Sequence, residues 1–153
     1  MRITGGLVGA LYIPGEYGAG KERIVCMEIR IYYEDTDAGG VVYYANYLRY
    51  FERGRTEYLR ERGVSVADLA ADGCIFPVVR LEADYRAAAR HDDLLRIETE
   101  VLEVGKTSFT VGQQAVRVID GKLLVDAKVT LVCVNQRMKA RRLPEELLQA
   151  LSD

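Results

Sequence analysis

One long amphipathic segment, residues 45–62, is the feature that most limits the folds open to this chain. Its largely apolar face recurs with the period of an α-helix, and charged residues surround that face. The residues that share this stripe are Tyr44, Tyr47, Leu48, Phe51, Arg55, Tyr58 and Leu59. Gly63 is a typical helix stop, whereas Gly54 lies inside the helix at a cost of about 1 kcal/mol relative to alanine. Such a glycine is tolerated where another backbone comes close, and here we expect that backbone to be the sheet.

Most of the remaining chain has the pattern of β-strands. Residues 28–33 alternate between two faces, with Tyr33 on the apolar face beside two isoleucines. Four further strand-like runs follow the helix, at residues 76–85, 94–104, 108–119 and 122–134. Asp120–Gly121 and Gly105–Lys106 predict tight turns between the last three runs. The sheet is therefore expected to be antiparallel.

The fold class follows from the need to cover the helix. Two other helices are predicted, a short one at residues 65–71 capped by Ser65 and one at 144–151 that starts with Pro144. Neither can cover so wide a stripe, so the sheet must. We therefore predict an α+β fold in which a five-stranded antiparallel sheet wraps around one long central helix.

The domain is expected to span residues 27–153. Met27 opens a clean strand and is a candidate for the biological start of the protein. The Gly-rich stretch of residues 1–26 offers no periodic apolar face, so we expect a disordered extension without a function of its own.

Composition limits the classes of function. The chain has 153 residues, which fits one domain, and its net charge of -2 gives no strong field to attract nucleic acid or an anionic membrane. No apolar run approaches the ~20 residues of a membrane span. The widely spaced cysteines form no metal or dithiol motif, and the one histidine, His91, is expected in a surface loop. The three cysteines are Cys26, Cys74 and Cys133. We expect a cytoplasmic protein that needs no metal and no other cofactor.

Residues 32–47, with the sequence YYEDTDAGGVVYYANY, carry the candidate chemistry. A calcium loop is a poor fit, because Gly39 and Asn46 stand where carboxylate ligands are needed. A phosphatase of the Asp-x-Asp type would need a parallel sheet, against which the hairpins argue. Acyl transfer is the third option, because free N–H groups at a helix start can polarise a thioester carbonyl. Asp37 could then act as nucleophile or general base.

On residue types alone, a plain turn or capping role for Asp35 and Asp37 is the commoner outcome. A family resemblance changes that balance. Its central motifs are Tyr33, residues 35–43 (DTDAGGVVY), Asn46-Tyr47-Leu48 and Phe51-Glu52-Arg53. Its outer motifs are Asp84-Tyr85, Ala89-Arg90 with Asp92-Asp93-Leu94, and Arg142-Leu143-Pro144. With these motifs, residues 27 to about 148 resemble the hotdog-fold 4-hydroxybenzoyl-CoA thioesterase family, especially its Tol–Pal-associated (YbgC-like) acyl-CoA thioesterases.

The resemblance implies a hotdog fold and the hydrolysis of an acyl-CoA thioester. It implies that Asp37 is the catalytic carboxylate, that Tyr44 opens the helix and gives its backbone N–H to the thioester oxygen, and that Tyr33 lies near the site. The Tol–Pal branch often has histidine where this chain has Tyr44. The exchange keeps the backbone N–H but not a side-chain acid–base role.

The resemblance also makes coenzyme A phosphates a plausible ligand of a basic group of residues, although a solvated tail is the alternative. The group consists of Lys106, Lys139, Arg141 and Arg142.

The resemblance further implies a homo-oligomer, either a dimer or a dimer of dimers, with the site at an interface. The rival function is a non-catalytic acyl-CoA binding or sensing module on the same fold, against which Asp37 argues. The residues leave open the route, nucleophilic or general-base, and the acyl group, which could be short aliphatic, long aliphatic or aroyl.

Overall fold

The central element is helix α1 (Asn46–Glu61), in a computed structural model that describes the backbone of residues 11–12 and all of residues 24–153. Its 16 residues span about 24 Å at 1.5 Å per residue. Ala45 is the N-cap residue and Arg62 the C-cap residue. The helix therefore matches the predicted range 45–62 to within one residue at each end, and Tyr44 lies two residues before it.

A single antiparallel sheet surrounds this helix. Its strands are β1 (Leu11–Tyr12), β2 (Val25–Arg30), β3 (Val78–Tyr85), β4 (Leu94–Val104), β5 (Ser108–Arg117) and β6 (Lys122–Val132). Their order across the sheet is β1-β2-β4-β5-β6-β3. The five predicted strands and their antiparallel pairing are confirmed, and the two-residue β1 adds an edge next to β2. The prediction of an α+β hotdog fold is correct.

The start of the sheet differs from the prediction. Strand β2 begins at Val25, two residues before Met27, and the Val25 side chain is buried in the core. Within the predicted extension, Leu11–Tyr12 pairs with β2. Residues 1–10 and 13–23 lie outside the described residues, so the expected disorder of residues 1–26 and a domain limited to 27–153 stay predictions.

The face that α1 buries is partly the predicted one. Helix α1 packs mainly against β2, β4 and β5. Its buried residues are Tyr47, Tyr50, Phe51, Gly54, Tyr58 and Leu59. Tyr44 and Leu48, which were expected in this stripe, are exposed, and Tyr50, which was not expected, is fully buried. The difference arises because Tyr44 precedes the helix and because the sheet covers a face rotated toward Tyr50.

Gly54 is required by close packing of the helix on the sheet. A Cβ atom there would lie 2.9 Å from Cγ2 of Ile97, 2.9 Å from Oγ1 of Thr99 and 3.1 Å from Nε2 of Gln113. The close approach expected from the sequence is therefore present, but it involves sheet side chains and not sheet backbone.

The smaller elements also agree with the sequence. Helix α2 (Val66–Ala71) is capped by Ser65, whose Oγ accepts a hydrogen bond from the Asp68 N–H, and helix α3 (Glu145–Ser152) begins after Pro144. Gly121 closes the β5–β6 hairpin with a positive φ of 66°. Among residues 11–12 and 24–153, no helix combines the length and the hydrophobicity that a membrane crossing requires.

Candidate active site

Asp35 fastens the loop between β2 and α1 to the helix. Its Oδ2 accepts a hydrogen bond from the Tyr32 N–H at 2.8 Å, and its Oδ1 accepts one from the Tyr50 hydroxyl at 2.7 Å. Its carbonyl oxygen accepts hydrogen bonds from the Tyr43 N–H at 3.0 Å and from Nδ2 of Asn46 at 2.8 Å. Burial and the hydrogen bond to Asp35 raise the pKa of Tyr50 well above its usual range, so the hydroxyl remains a donor. Asp35 is thus committed to holding the loop.

Asp37 lies at the tip of the same loop and is exposed. Its N–H donates to the Val41 carbonyl at 2.9 Å, and its own carbonyl accepts from the Gly40 N–H at 3.0 Å. Gly40 has a φ of 77°, a conformation that glycine adopts without strain. The Oδ1 atom of Asp37 accepts from the Gly39 N–H at 2.8 Å. Within residues 24–153 its Oδ2 atom has no hydrogen-bond partner, so one carboxylate oxygen is free to react.

The chain then enters α1 with exposed backbone donors. The Asn46 N–H donates to the Tyr43 carbonyl at 2.9 Å. In a trans peptide the N–H points opposite to the carbonyl, so the Tyr44 N–H is directed away from the helix body. No acceptor for it is found in the described part of the chain, and Tyr44 is 62% exposed. The positive end of the helix dipole adds to this donor.

Tyrosine side chains surround this helix start. The Tyr85 hydroxyl, at the end of β3, donates to the Tyr44 carbonyl at 2.9 Å. The Tyr44 ring meets those of Tyr43 and Tyr85 edge-on, at centroid distances of 4.9 and 6.2 Å. The Tyr47 ring also meets that of Tyr85 edge-on, at 5.8 Å. Sequence reasoning did not select Tyr85 as a site residue. Its only signal in the sequence is the Asp84-Tyr85 pair, one of the outer motifs of the family resemblance.

Tyr33 does not lie on the apolar face of β2, contrary to the expectation from its alternating pattern. Strand β2 ends at Arg30, and the chain turns into a 3-10 helix (Tyr33–Asp35) that leaves Tyr33 80% exposed. The Tyr33 ring stacks on that of His91, with centroids 4.0 Å apart and planes 10° apart. His91 is exposed in a loop, as predicted.

The four predicted phosphate-binding residues lie together only in part. The Leu143 N–H donates to the Lys106 carbonyl at 2.9 Å, which brings Arg142 beside the β4–β5 turn. Arg141 donates from Nη1 to the Gly73 carbonyl at 3.4 Å. Lys139 is exposed in the loop that follows β6.

This basic group is remote from Asp37 within one chain. The loop of Asp37 lies at the start of β4, where the Ile31 N–H donates to the Asp93 carbonyl at 2.9 Å. Lys106 follows the other end of β4, whose 11 residues extend for about 30 Å or more. A ligand at Asp37 therefore meets the basic residues of the same chain only across the whole sheet. Across residues 11–12 and 24–153, no three His, Cys, Asp or Glu side chains converge as a metal site.

Comparison with known proteins identifies the family. Residues 32–151 match the thioesterase-like superfamily. The acyl-CoA thioester hydrolase YbgC of Escherichia coli O6:H1 is 44% identical over 121 residues, which cover 78% of this chain and 90% of that protein. The acyl-CoA thioesterase YbgC of Haemophilus influenzae is 44% identical over 124 residues, covering 80% of this chain and 90% of its own.

A solved structure agrees with this likeness. It is an aspartate-to-asparagine variant of 4-hydroxybenzoyl-CoA thioesterase in complex with 4-hydroxybenzoyl-CoA. It superposes with a TM-score of 0.76 at 25% identity, over 84% of this chain and 99% of that one. The chain therefore belongs to the thioesterase-like superfamily and is a hotdog-fold thioesterase.

Proposed function

We propose that this protein hydrolyses an acyl-CoA thioester to the free acid and coenzyme A, with Asp37 as the reacting carboxylate. One observation carries the proposal. A single short loop holds both the free carboxylate oxygen of Asp37 and the unpaired backbone N–H of Tyr44. Asp35 ties that loop to α1 and so fixes the two groups relative to each other. The names of the relatives support the choice of substrate, because both YbgC proteins are called acyl-CoA thioester hydrolases or thioesterases.

The chemistry follows from these two groups. The Tyr44 N–H donates to the thioester oxygen, and the helix dipole helps to stabilise the negative charge that develops there. In one route Asp37 attacks the carbonyl carbon, the C–S bond breaks with release of the CoA thiolate, and water hydrolyses the resulting anhydride. In the other route Asp37 takes a proton from water, and the hydroxide adds to the carbon before the thiolate leaves. Tyr33 lies on the same loop, and the family resemblance supports a place for it at the border of this site.

Isotope labelling can demonstrate the nucleophilic route. A single turnover in H2¹⁸O leaves ¹⁸O in the Asp37 carboxylate only if that carboxylate formed an anhydride. Mass spectrometry of the peptide that contains Asp37 measures the label. Label in Asp37 therefore assigns the nucleophilic route with water attack on the Asp37 carbonyl. Label confined to the acid product arises both from the general-base route and from water attack on the acyl carbon of the anhydride.

We further propose that the active form is a homodimer joined through β3. Strand β3 has β6 as its only partner among the described strands, so its outer edge offers unpaired backbone groups. The edge strand also exposes Val79 and Leu81. A two-fold axis that pairs β3 with its copy reverses the strand direction. The far end of the partner then lies beside Asp37.

This pairing gives the basic residues a role in the second subunit. Lys106 and Arg142 of the partner subunit, with Lys139 and Arg141 nearby, would contact the CoA phosphates while Asp37 of the first chain meets the thioester. Light scattering measures the assembly, and a particle of 17.2 kDa in the active fraction would contradict it. The same measurement separates a dimer from a dimer of dimers.

The decisive experiment compares Asp37→Asn with Asp35→Asn on a panel of short, long and aromatic acyl-CoAs. Asp37→Asn keeps the side-chain size and should lower kcat by about 10²- to 10⁴-fold. Its melting temperature and KM should stay near those of the wild type, because Asp37 is exposed and holds only the turn. Asp35→Asn should instead lower the melting temperature and reduce kcat less. An active Asp37→Asn with a dead Asp35→Asn would assign the chemistry to the other carboxylate.

Release of free thiol is the direct readout. The protein itself contributes little background, since Cys74 and Cys133 are buried and burial raises the pKa of Cys26 to about 11 and that of Cys133 to about 12. Binding of acyl-CoA without thiol release from any substrate would favour the binding module over the enzyme. We also propose that the protein works in the cytoplasm, because the free cysteines of the protein suit a reducing compartment.

A further inference from the structure

Tyr85 is joined to the helix start by a hydrogen bond from a distant strand. It is the last residue of β3, and its hydroxyl reaches the Tyr44 carbonyl at 2.9 Å across 41 residues of sequence. Its ring also meets those of Tyr44 and Tyr47 edge-on. The side chain is therefore held by one hydrogen bond and by two ring contacts.

The Tyr44 carbonyl lies outside the regular hydrogen bonding of α1. It precedes the N-cap residue Ala45, and the first turn closes through the Leu48 N–H, which donates to the Ala45 carbonyl at 3.1 Å. The direction of the Tyr44–Ala45 peptide thus depends on contacts from elsewhere in the fold. Among residues 24–153, the hydrogen bond to that carbonyl comes from the Tyr85 hydroxyl.

A donor on a carbonyl has two effects on its surroundings. It limits rotation about the backbone bonds of that residue, and it polarises the peptide unit whose other end is an N–H group. For Tyr44 the first effect restrains rotation about its Cα–C bond, so that the residue cannot swing and carry its N–H out of place. The second effect strengthens the Ala45 N–H, which belongs to the same peptide as the Tyr44 carbonyl. Both groups are at the positive end of α1.

We infer that Tyr85 is a positioning residue for thioester hydrolysis, whose hydroxyl holds the Tyr44 backbone in the orientation that presents its N–H to the substrate. This inference rests on the proposed function. It assigns to the β3 edge strand a part in transition-state stabilisation and gives Tyr85 no contact with the reacting atoms.

The variant Tyr85→Phe tests the role of the hydroxyl while keeping the ring contacts. We expect kcat to fall about tenfold, less than the 10²- to 10³-fold typical of deleting an oxyanion donor, with KM and the melting temperature near wild type. Tyr43→Phe is the matched control, since the Tyr43 ring also meets Tyr44 edge-on while its hydroxyl has no partner within residues 24–153. Equal kcat values for wild type and Tyr85→Phe would overturn the inference. So would a raised KM at unchanged kcat, because that result assigns Tyr85 to substrate binding.

A second measurement does not depend on activity. The NMR signals of the Tyr44 carbonyl ¹³C and the Ala45 amide ¹⁵N respond to the loss of a hydrogen bond at that peptide. We expect both to shift in Tyr85→Phe and to stay unchanged in Tyr43→Phe. Unchanged signals in Tyr85→Phe refute the positioning role whatever the activity. Shifted signals in a protein that releases thiol from no acyl-CoA would instead refute the proposed function alone.

Discussion

Replacing Gly54 by alanine should destabilise the protein, although alanine is the better helix former by about 1 kcal/mol. The new Cβ atom would lie 2.9 Å from Ile97 and Thr99 atoms and 3.1 Å from Gln113, closer than the ~3.5–4.0 Å of normal contacts. Overpacking of this kind costs about 1–3 kcal/mol. Gln113 Nε2 donates to the Phe51 carbonyl at 2.8 Å and to Thr99 Oγ1 at 2.9 Å. Disturbing these buried bonds costs about 1–3 kcal/mol more.

The net loss is about 3 kcal/mol, which lowers the melting temperature by roughly 6–12 °C for a chain of this length. Thermal unfolding at one fixed protein concentration measures it, since oligomers melt in a concentration-dependent way. Thr99→Ala removes one clashing atom, so Gly54→Ala and Thr99→Ala together should destabilise by less than the sum of the two. A Gly54→Ala protein that melts at or above the wild-type temperature would show that helix propensity prevails, and the packing argument would fail.

Two further predictions follow from the loop and from the start of the sheet. Tyr50→Phe removes the hydrogen bond to the Asp35 carboxylate and should cost about 1–2 kcal/mol, with a partial loss of kcat as the loop loosens; an unchanged melting curve would contradict this. A chain that starts at Ile24 should melt close to the full-length protein, whereas a start at Met27 should melt lower because it deletes buried Val25. Equal melting temperatures for the two truncated chains would show that Val25 contributes little.

Periodicity in the sequence was sufficient to predict most of the fold. The sequence predicts the helix at 45–62 and the strand at 94–104 almost to the residue, because each has a long run with a clear repeat and a glycine directly after its last residue. The apolar pattern gave a wrong prediction where the alternation was continued past the end of a strand. Tyr33 continues the alternation of β2 by one more step, but the chain has already turned at the 3-10 helix. That turn depends on capping by Asp35, which leaves no trace in the alternation.

The site was less accessible to sequence reasoning than the fold. Asp35 and Asp37 look equivalent as residues in a turn, and in the sequence only the family resemblance selects Asp37. Three-dimensional contacts add the physical difference, because Asp35 binds Tyr50 while Asp37 keeps a free oxygen. Asp37 and Lys106 are far apart because they lie at opposite ends of β4. Strand register and connection lengths determine where each loop lies along the sheet, and residue types alone do not predict it.

The opposed positions of the Asp37 loop and the basic group have a genetic consequence. In the proposed dimer each chain supplies one half of two different sites, so a chain with Asp37→Asn and a chain lacking Lys106 and Arg142 carry defects that do not overlap. Mixed dimers of the two would contain one site with both halves intact. Two inactive alleles expressed together should therefore complement each other and restore up to about a quarter of the normal activity, since half of the dimers are mixed and each of these has one good site.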